Sequence, residues 1–228
     1  MKKIKLFDPV IGISEEREMI KILRSGFWAS GSGSGKVQEF EKKFSKYLNS
    51  DQCVAVNSGT AALNLALSLL DIKNKEVILP SLSFIATAHA VILNGGKPVF
   101  ADIDSKTLCI DPKQIRKLIT KKTAAILPVH FAGIACNLNE ILHLCQENNV
   151  KLIEDAAHAA GTKYDGKRIG SHGMAVCFSF HPVKNLGMPT GGLISINHVN
   201  HRKLKKTLNE KRWCGITIRH DFTYDVKQ

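Results

Sequence analysis

The sequence predicts an α/β fold: a mostly parallel central sheet with helices on both faces, in three layers (α/β/α). Apolar runs of strand length alternate with segments of helical period, the pattern of a sheet whose strands are joined by crossover helices. Several runs are apolar at consecutive positions, as expected for strands covered on both faces. The 228 residues, 44% of them hydrophobic, are enough for one large domain with a substantial core.

Seven strands are expected, each an apolar run bounded by polar or turn-forming residues. They are residues 53–56, 76–79, 97–103, 124–129, 150–155, 175–180 and 192–196. Cys53 and Cys177 lie inside two of these runs, so we interpret them as small buried hydrophobic residues. The six cysteines are dispersed, with no pair at zinc-ligand spacing, and we predict neither a metal site nor a disulfide framework.

The helices begin at capping signals. Asp111 precedes a proline at the first helical position, and Asn137 is followed three residues later by a glutamate. Near the N-terminus, Ser14 precedes a helix that is expected to end near Gly26. The next helix places Val37, Phe40, Phe44 and Tyr47 on one face. A flexible loop, "GFWASGSGSG" at 26–35, connects these two helices.

The net charge of +12, from 32 basic and 20 acidic residues, favours anionic partners such as phosphorylated ligands and nucleotides. Most lysines fall on predicted solvent faces, and the densest cluster, 201–213, is interpreted as an exposed basic helix. Without an aromatic-basic pattern, nucleic acid is not expected as a partner. No apolar run approaches a membrane span of ~20 residues and no signal peptide is evident, so we expect a soluble, cytoplasmic protein.

Ligands of open α/β sheets bind at the carboxyl ends of the strands, so the residues that follow each strand are the candidates for a binding site. In "NSGTAAL", Gly59 allows close backbone approach, Thr60 offers a hydroxyl, and the amides of Thr60 and Ala61 at a helix N-terminus form an anion site. An ordinary capped turn is the alternative. In "PSLSFIATAHAV", Phe84 either fills the core or presents a flat stacking surface.

Two further motifs carry ionisable groups. In "LIEDAAHAAGT", Asp155 ends an apolar strand, where a carboxylate suits the pairing of a protonated ring nitrogen; a helix cap is the alternative. His158 follows three residues later as a candidate site residue; a structural histidine of the core or of the cavity rim is the alternative. In "FSFHPVKNLGMPTGG", Ser179 can donate to an anion, and Lys184, if partly desolvated, becomes a nucleophile towards carbonyls instead of a solvated loop lysine.

An anion cradle, a planar stacker, a carboxylate and an amine at strand ends together match the needs of pyridoxal 5'-phosphate (PLP). In this order the motifs resemble the DegT/DnrJ/EryC1/StrS family of PLP-dependent sugar aminotransferases, of aspartate aminotransferase-like fold type I. The matching blocks run nearly end to end: "NSGTAAL", "PSLSFIATAHAV", "KPVFADID", "ILPVHFAG", "IEDAAHAAGTKYDGKRIGSHG" and "FSFHPVKNL".

The resemblance implies that Lys184 forms the covalent link to the cofactor and then moves the proton, and that Asp155 pairs with the pyridine nitrogen. It implies that His158 contacts the side of the ring's phenolic oxygen and that Phe84 stacks on the ring. The phosphate would be held by Gly59, Thr60, Ala61 and Ser179. It also implies transfer of an amino group, often from glutamate, to a nucleotide-linked keto-sugar, by a homodimer with shared active sites.

The sequence also departs from the family pattern. "MPTGG" stands where members often have Gly-Glu-Gly-Gly, and the chain is expected to be one PLP-binding large domain (1–228) with an N-terminal helical segment (about 1–50), the smaller C-terminal domain being absent or truncated. A truncated, non-catalytic dimerisation or regulatory partner is therefore the alternative. A dehydratase branch of the family has histidine in place of the lysine, so Lys184 disfavours that branch. A nucleotide- or nucleic-acid-binding module has only the charge in its favour.

Overall fold

The computed structural model describes residues 4–26, 28, 35–218 and 224–226; most of the predicted loop at 26–35, namely residue 27 and residues 29–34, lies outside them. The helices are α1 Ile13–Ser25, α2 Gly35–Leu48, α3 Gly59–Leu67, α4 Ile85–Leu93, α5 Pro112–Leu118, α6 Leu138–Asn148 and α7 His201–Arg212, with a 3-10 turn at Phe131–Gly133. The strands are β1 Gln52–Val56, β2 Glu76–Pro80, β3 Lys97–Ala101, β4 Thr123–Ile126, β5 Lys151–Asp155, β6 Lys163–Tyr164, β7 Lys167–Arg168, β8 Ala175–Ser179, β9 Gly192–Ile196, β10 Ile216–Ile218 and β11 Tyr224–Val226.

A seven-stranded sheet in the order β1-β9-β8-β5-β4-β2-β3 forms the centre of the fold. Its neighbouring strands are parallel except that β9 runs antiparallel to both β1 and β8. The carboxyl ends of the other six strands therefore lie along one edge of the sheet. The predicted mostly parallel α/β sheet is confirmed, and β6–β7 and β10–β11 form two separate antiparallel ribbons.

Two hydrophobic clusters lie on opposite faces of this sheet. One joins α2, α5 and α6 to strand residues such as Ile126 and Leu152, whereas the other joins α3, α4 and α7 to their neighbours in the strands, such as Ala125 and Ile153. Successive strand side chains point to opposite faces, so strands that are apolar at every position serve both clusters. This arrangement confirms the predicted three layers, and Cys53 and Cys177 are buried within them.

Several element boundaries differ from the sequence prediction. The fourth strand ends at Ile126 instead of residue 129, because Pro128 has no N–H to extend the ladder. The third ends at Ala101 instead of residue 103, since Asp102 turns back to accept from the Ile103 N–H at 2.8 Å. Helix α1 begins at Ile13, before the predicted Ser14, and ends as predicted with Gly26 at a φ of 66°. Along α1, no side chain is buried.

Helix α7 is not the wholly exposed basic helix that its composition suggests. The Arg212 side chain is only 9% exposed and its Nη1 lies 2.6 Å from Oε1 of Glu41, which is 2% exposed. Arg212 also donates to the Ala55 carbonyl, and Glu41 accepts from the Ala55 N–H. The pair thus satisfies the free backbone groups of β1, an edge strand of the sheet. Helix composition alone does not indicate this partner from α2.

None of the helices in the described part of the chain is long and apolar enough to span a membrane.

Candidate active site

A cavity of about 280 Å³ opens at the carboxyl edge of the sheet. Its volume is near the lower end of the ~300–1,000 Å³ of small-molecule sites. It brings together seven of the eight residues that the sequence analysis singled out: Gly59, Thr60, Phe84, Asp155, His158, Ser179 and Lys184. These residues come from four segments that are distant in sequence but follow β1, β2, β5 and β8, whose carboxyl ends lie along the same edge of the sheet, which is why the fold assembles them at one place.

The first turn of α3 forms one wall of the cavity. Ser58 is the N-cap, and its Oγ accepts from the Ala61 N–H at 3.1 Å. Ala61, the eighth predicted residue, does not line the cavity, because its N–H is directed to that cap. Gly59 lies against β8, where an added Cβ would stand 2.7 Å from the Ser179 Cβ. The glycine therefore allows the helix N-terminus and the strand end to meet, and the helix dipole there favours an anion.

Asp155 places a buried carboxylate on the floor of the cavity and is 4% exposed. Oδ2 accepts from the Thr87 hydroxyl at 2.8 Å, and Oδ1 accepts from the Ala157 N–H at 3.1 Å. Burial raises the pKa of this carboxyl, while these two hydrogen bonds act in the opposite direction. A carboxylate in such surroundings is stabilised strongly by any cation that enters the cavity.

Lys184 lies in the turn that follows β8 and lines the same cavity. Its backbone N–H donates to the His181 carbonyl at 2.8 Å, which closes the turn. Burial lowers the pKa of the amine, and the charge of Asp155 opposes this effect. Lowering the pKa increases the fraction of neutral, nucleophilic amine at a given pH.

His158 occupies the wall beside Phe131, with the two rings edge to face at 5.9 Å between centroids. Its Nδ1 accepts from the Ala132 N–H at 3.3 Å. Burial and the nearby positive charge of Lys184 lower the pKa of this imidazole. A neutral ring that accepts at Nδ1 carries its proton on Nε2, so His158 offers the cavity a hydrogen-bond donor.

Phe84 stands at the mouth of the cavity as the residue before α4, with 72% of its surface exposed. The sequence allowed either core packing or a stacking surface, and this exposure excludes core packing. The loop "MPTGG" keeps both of its glycines, and an added Cβ on Gly192 would stand 2.3 Å from the Ser58 carbonyl oxygen. Thr190 donates to the Asn57 carbonyl at 2.7 Å. The altered part of this loop thus remains anchored to the turn before α3.

Sequence reasoning missed three residues that support the site. Thr87 bonds to Asp155 across 68 positions of sequence, and the only signal for it is its place one helical turn after Phe84. His130 and Glu154 form a buried pair with 2.9 Å between Nε2 and Oε2. Glu154 directly precedes the predicted Asp155, and this adjacency is the only sequence signal for it. In the part of the chain that the structure covers, no group of three or more acidic, His or Cys side chains could hold a metal ion.

Comparison with known proteins identifies relatives of this chain. SpsC of Bacillus subtilis, a spore coat polysaccharide biosynthesis protein, is 44% identical over 188 residues, which are 82% of this chain and 48% of SpsC. The PLP-form of Spr1654 from Streptococcus pneumoniae aligns with a TM-score of 0.92 and 28% identity, over 100% of this chain and 62% of that one. PseC of Helicobacter pylori is an aminotransferase involved in the biosynthesis of pseudoaminic acid. It aligns with a TM-score of 0.89 and 26% identity, over 100% of this chain and 60% of PseC.

The chain spans about half the length of the curated relatives it matches. A family-wide sequence model matches residues 9–224, which is most of the chain. Structural neighbours have been solved with PLP and with PMP, so PLP is the cofactor of these proteins. The chain belongs to the DegT/DnrJ/EryC1/StrS aminotransferase family, a family of PLP-dependent sugar aminotransferases.

Proposed function

We propose that this protein transfers an amino group from glutamate to a nucleotide-linked keto-sugar, with PLP bound in the cavity at the carboxyl edge of the sheet. The observation that carries the proposal is that Lys184 and the buried Asp155 line one cavity beside the N-terminus of α3. An amine, an acid and an anion site in one cavity are what PLP requires of a protein.

The residues present fit the cofactor. Asp155 is buried, and among the described residues it forms no salt bridge to a cationic side chain. A protonated pyridine nitrogen would supply that missing cation. Gly59 and Thr60 begin a helix whose dipole favours a phosphate, and Ser179 adds a hydroxyl beside them. The exposed ring of Phe84 offers a flat apolar wall for a heterocycle.

Each residue then has a defined task. PLP supplies an electron sink that stabilises negative charge on the carbon next to the transferred nitrogen. Asp155 keeps the ring nitrogen protonated, and Thr87 and the Ala157 N–H orient its carboxylate. Lys184 would hold the cofactor through Nζ, and its free amine would carry the proton to and from that carbon. His158 would offer a hydrogen bond from Nε2 to the ring.

The sugar substrate is supported by the relatives, since SpsC functions in polysaccharide biosynthesis and PseC in the biosynthesis of pseudoaminic acid. A nucleotide-linked sugar carries a diphosphate, which suits a chain with a net charge of +12. We also assign residues 1–228 to one PLP-binding large domain, with an N-terminal helical segment up to about residue 50. A homodimer with shared sites and a cytoplasmic location complete the proposal; the free state of the six cysteines supports the latter.

The test begins with the 228-residue chain and added PLP. We expect the absorption band of lysine-bound PLP, and borohydride should fix the cofactor on the peptide that contains Lys184. Lys184→Ala should abolish both signals, whereas Lys167→Ala, which removes an exposed lysine of β7, should change neither. Modification spread over surface lysines, with no preference for Lys184, would contradict the assignment.

A non-catalytic role as a dimerisation or regulatory partner is the second candidate. Amination of a nucleotide-linked keto-sugar by the 228-residue chain, with glutamate and PLP present, would exclude this second role. PLP binding without turnover would instead favour it.

A further inference from the structure

Beneath the cavity lies a buried polar pair that the proposed mechanism does not use. His130 and Glu154 are both 0% exposed, and Nε2 of the histidine is 2.9 Å from Oε2 of the glutamate. Glu154 precedes Asp155 in β5, so the two carboxylates project from opposite faces of the sheet. Burying a carboxylate is costly unless its hydrogen bonds are made, so the presence of this pair needs an explanation.

Apart from their contact with each other, both side chains accept hydrogen bonds from backbone N–H groups of neighbouring segments. Oε1 of Glu154 accepts from the Gly173 N–H, and Nδ1 of His130 accepts from the Cys136 N–H at 3.1 Å. A ring that accepts at Nδ1 and is neutral carries its proton on Nε2, which it donates to Glu154. The pair therefore joins β5, the loop before β8, and the segment at 129–136 in one hydrogen-bonded unit.

The same segment reaches the cavity. The backbone N–H of His130 donates to the Asp155 carbonyl at 3.0 Å. The chain then makes the turn Phe131–Gly133, in which Ala132 has a φ of 50°, a conformation that is unfavourable for a residue with a side chain. The Ala132 N–H donates to Nδ1 of His158, and Phe131 packs on the same ring. The surroundings must hold this turn in place, because its local backbone preference opposes it.

We propose that His130 and Glu154 are positioning residues: they hold the 131–133 turn so that Ala132 fixes the tautomer and orientation of His158. The inference rests on the proposed function for its catalytic meaning, since His158 serves the reaction by donating from Nε2. The positions of the turn and of the His158 ring, however, can be measured in the cofactor-free chain. A polar pair suits this task better than an apolar pair because its hydrogen bonds have direction, and only one arrangement of the loop satisfies all of them.

The experiment uses the full 228-residue chain, labelled with ¹⁵N and free of cofactor. The variants are Glu154→Gln, His130→Phe and His130→Asn; the last keeps an acceptor for the Cys136 N–H and serves as the conservative rescue. The readouts are the imidazole ¹⁵N shifts of His158, which report its tautomer, and the hydrogen-exchange rate of the Ala132 amide. Ile115→Ala, in α5 on the same face of the sheet, is the control for general destabilisation.

We expect the wild-type chain to show His158 protonated on Nε2 and a protected Ala132 amide. In His130→Phe and Glu154→Gln, exchange of this amide should accelerate about tenfold, as expected when a hydrogen bond that holds the turn is lost, and the single-tautomer pattern should be lost. His130→Asn should lie between these variants and the wild type, and Ile115→Ala should retain the wild-type pattern. Folded His130→Phe and Glu154→Gln variants with the wild-type tautomer and exchange rate would overturn the inference.

If these variants do not fold, a measurement on the wild-type chain alone tests whether the pair and the 131–133 turn are linked. The amides of Ala132, Cys136 and Gly173 should exchange as one unit, with a common opening free energy and denaturant dependence. Fast, independent exchange of Ala132 while Cys136 and Gly173 stay protected would refute the link. Absence of PLP binding by the wild-type chain would count against the proposed function only, because none of these readouts involves the cofactor.

Discussion

Replacing Thr87 with valine tests whether the floor of the cavity holds a charged carboxylate. Thr87 is fully buried and donates to Oδ2 of Asp155 at 2.8 Å. Valine has nearly the same shape, so the change removes a hydroxyl without opening a cavity. The Ser83 hydroxyl, which also bonds to Thr87, keeps an alternative acceptor in the Phe84 carbonyl. The substitution therefore acts mainly on the carboxylate.

The magnitude follows from the charge of the acceptor. A hydrogen bond to a charged group contributes about 1.5–3 kcal/mol to stability, against about 1 kcal/mol for a neutral one. Burial raises the pKa of Asp155 in the folded state above its pKa in the unfolded state. At a pH above the folded-state pKa, the buried charge therefore lowers the stability of the fold. At a pH below the unfolded-state pKa, the carboxyl is protonated in both states and this penalty is absent. The Thr87 hydroxyl reduces the penalty. Its loss should therefore cost about 1.5–3 kcal/mol above the folded-state pKa and about 1 kcal/mol below it.

Urea unfolding of the cofactor-free chain between pH 4.5 and 8 measures this difference. Thr162→Val is the matched control, because the Thr162 hydroxyl donates to a neutral carbonyl, that of Gly133, at 2.9 Å. It should cost about 1 kcal/mol at every pH. A Thr87→Val loss that is independent of pH, or no larger at pH 8 than that of the control, would show that Asp155 is not charged in the folded chain and would contradict the prediction.

Three further predictions concern the site and its support. Gly59→Ala should weaken PLP binding by tenfold or more in an absorbance titration, because the new Cβ would meet the Ser179 side chain at 2.7 Å; unchanged affinity would place the phosphate elsewhere. Arg212→Met should lower the free energy of unfolding by about 1.5–3 kcal/mol, since it removes the closer of the two cations that contact the buried Glu41 and leaves Lys205 at 3.5 Å; a change below ~1 kcal/mol in urea unfolding would contradict this. Burial lowers the pKa of Lys184, and the neutral amine is the nucleophile, so borohydride trapping at this residue should rise with pH and level off at a lower pH than trapping at surface lysines. Identical pH profiles for Lys184 and the surface lysines would oppose the assignment.

Much of the fold could be predicted because strand and helix signals are local. The apolar runs fixed seven strands to within a few residues, and the capping residues Asp111 and Asn137 begin α5 and α6 as expected. The positions of Asp155 and Lys184 after strands were sufficient to predict that they share a site, since parallel strands present their carboxyl ends at one edge. The antiparallel direction of β9 was not predicted, because its residues are apolar at most positions in either direction.

The layers of the fold, the family and the segments that carry the chemistry were all predictable from the sequence, because they depend on periodicity and on motifs of adjacent residues. Three features became visible only in the folded chain: Phe84 is exposed at the cavity mouth, the Ala61 amide is bonded to Ser58, and Arg212 is buried against Glu41. The physical reason is that burial and hydrogen-bond partners are set by residues far apart in sequence, such as Thr87 and Asp155, which meet only when the sheet has formed.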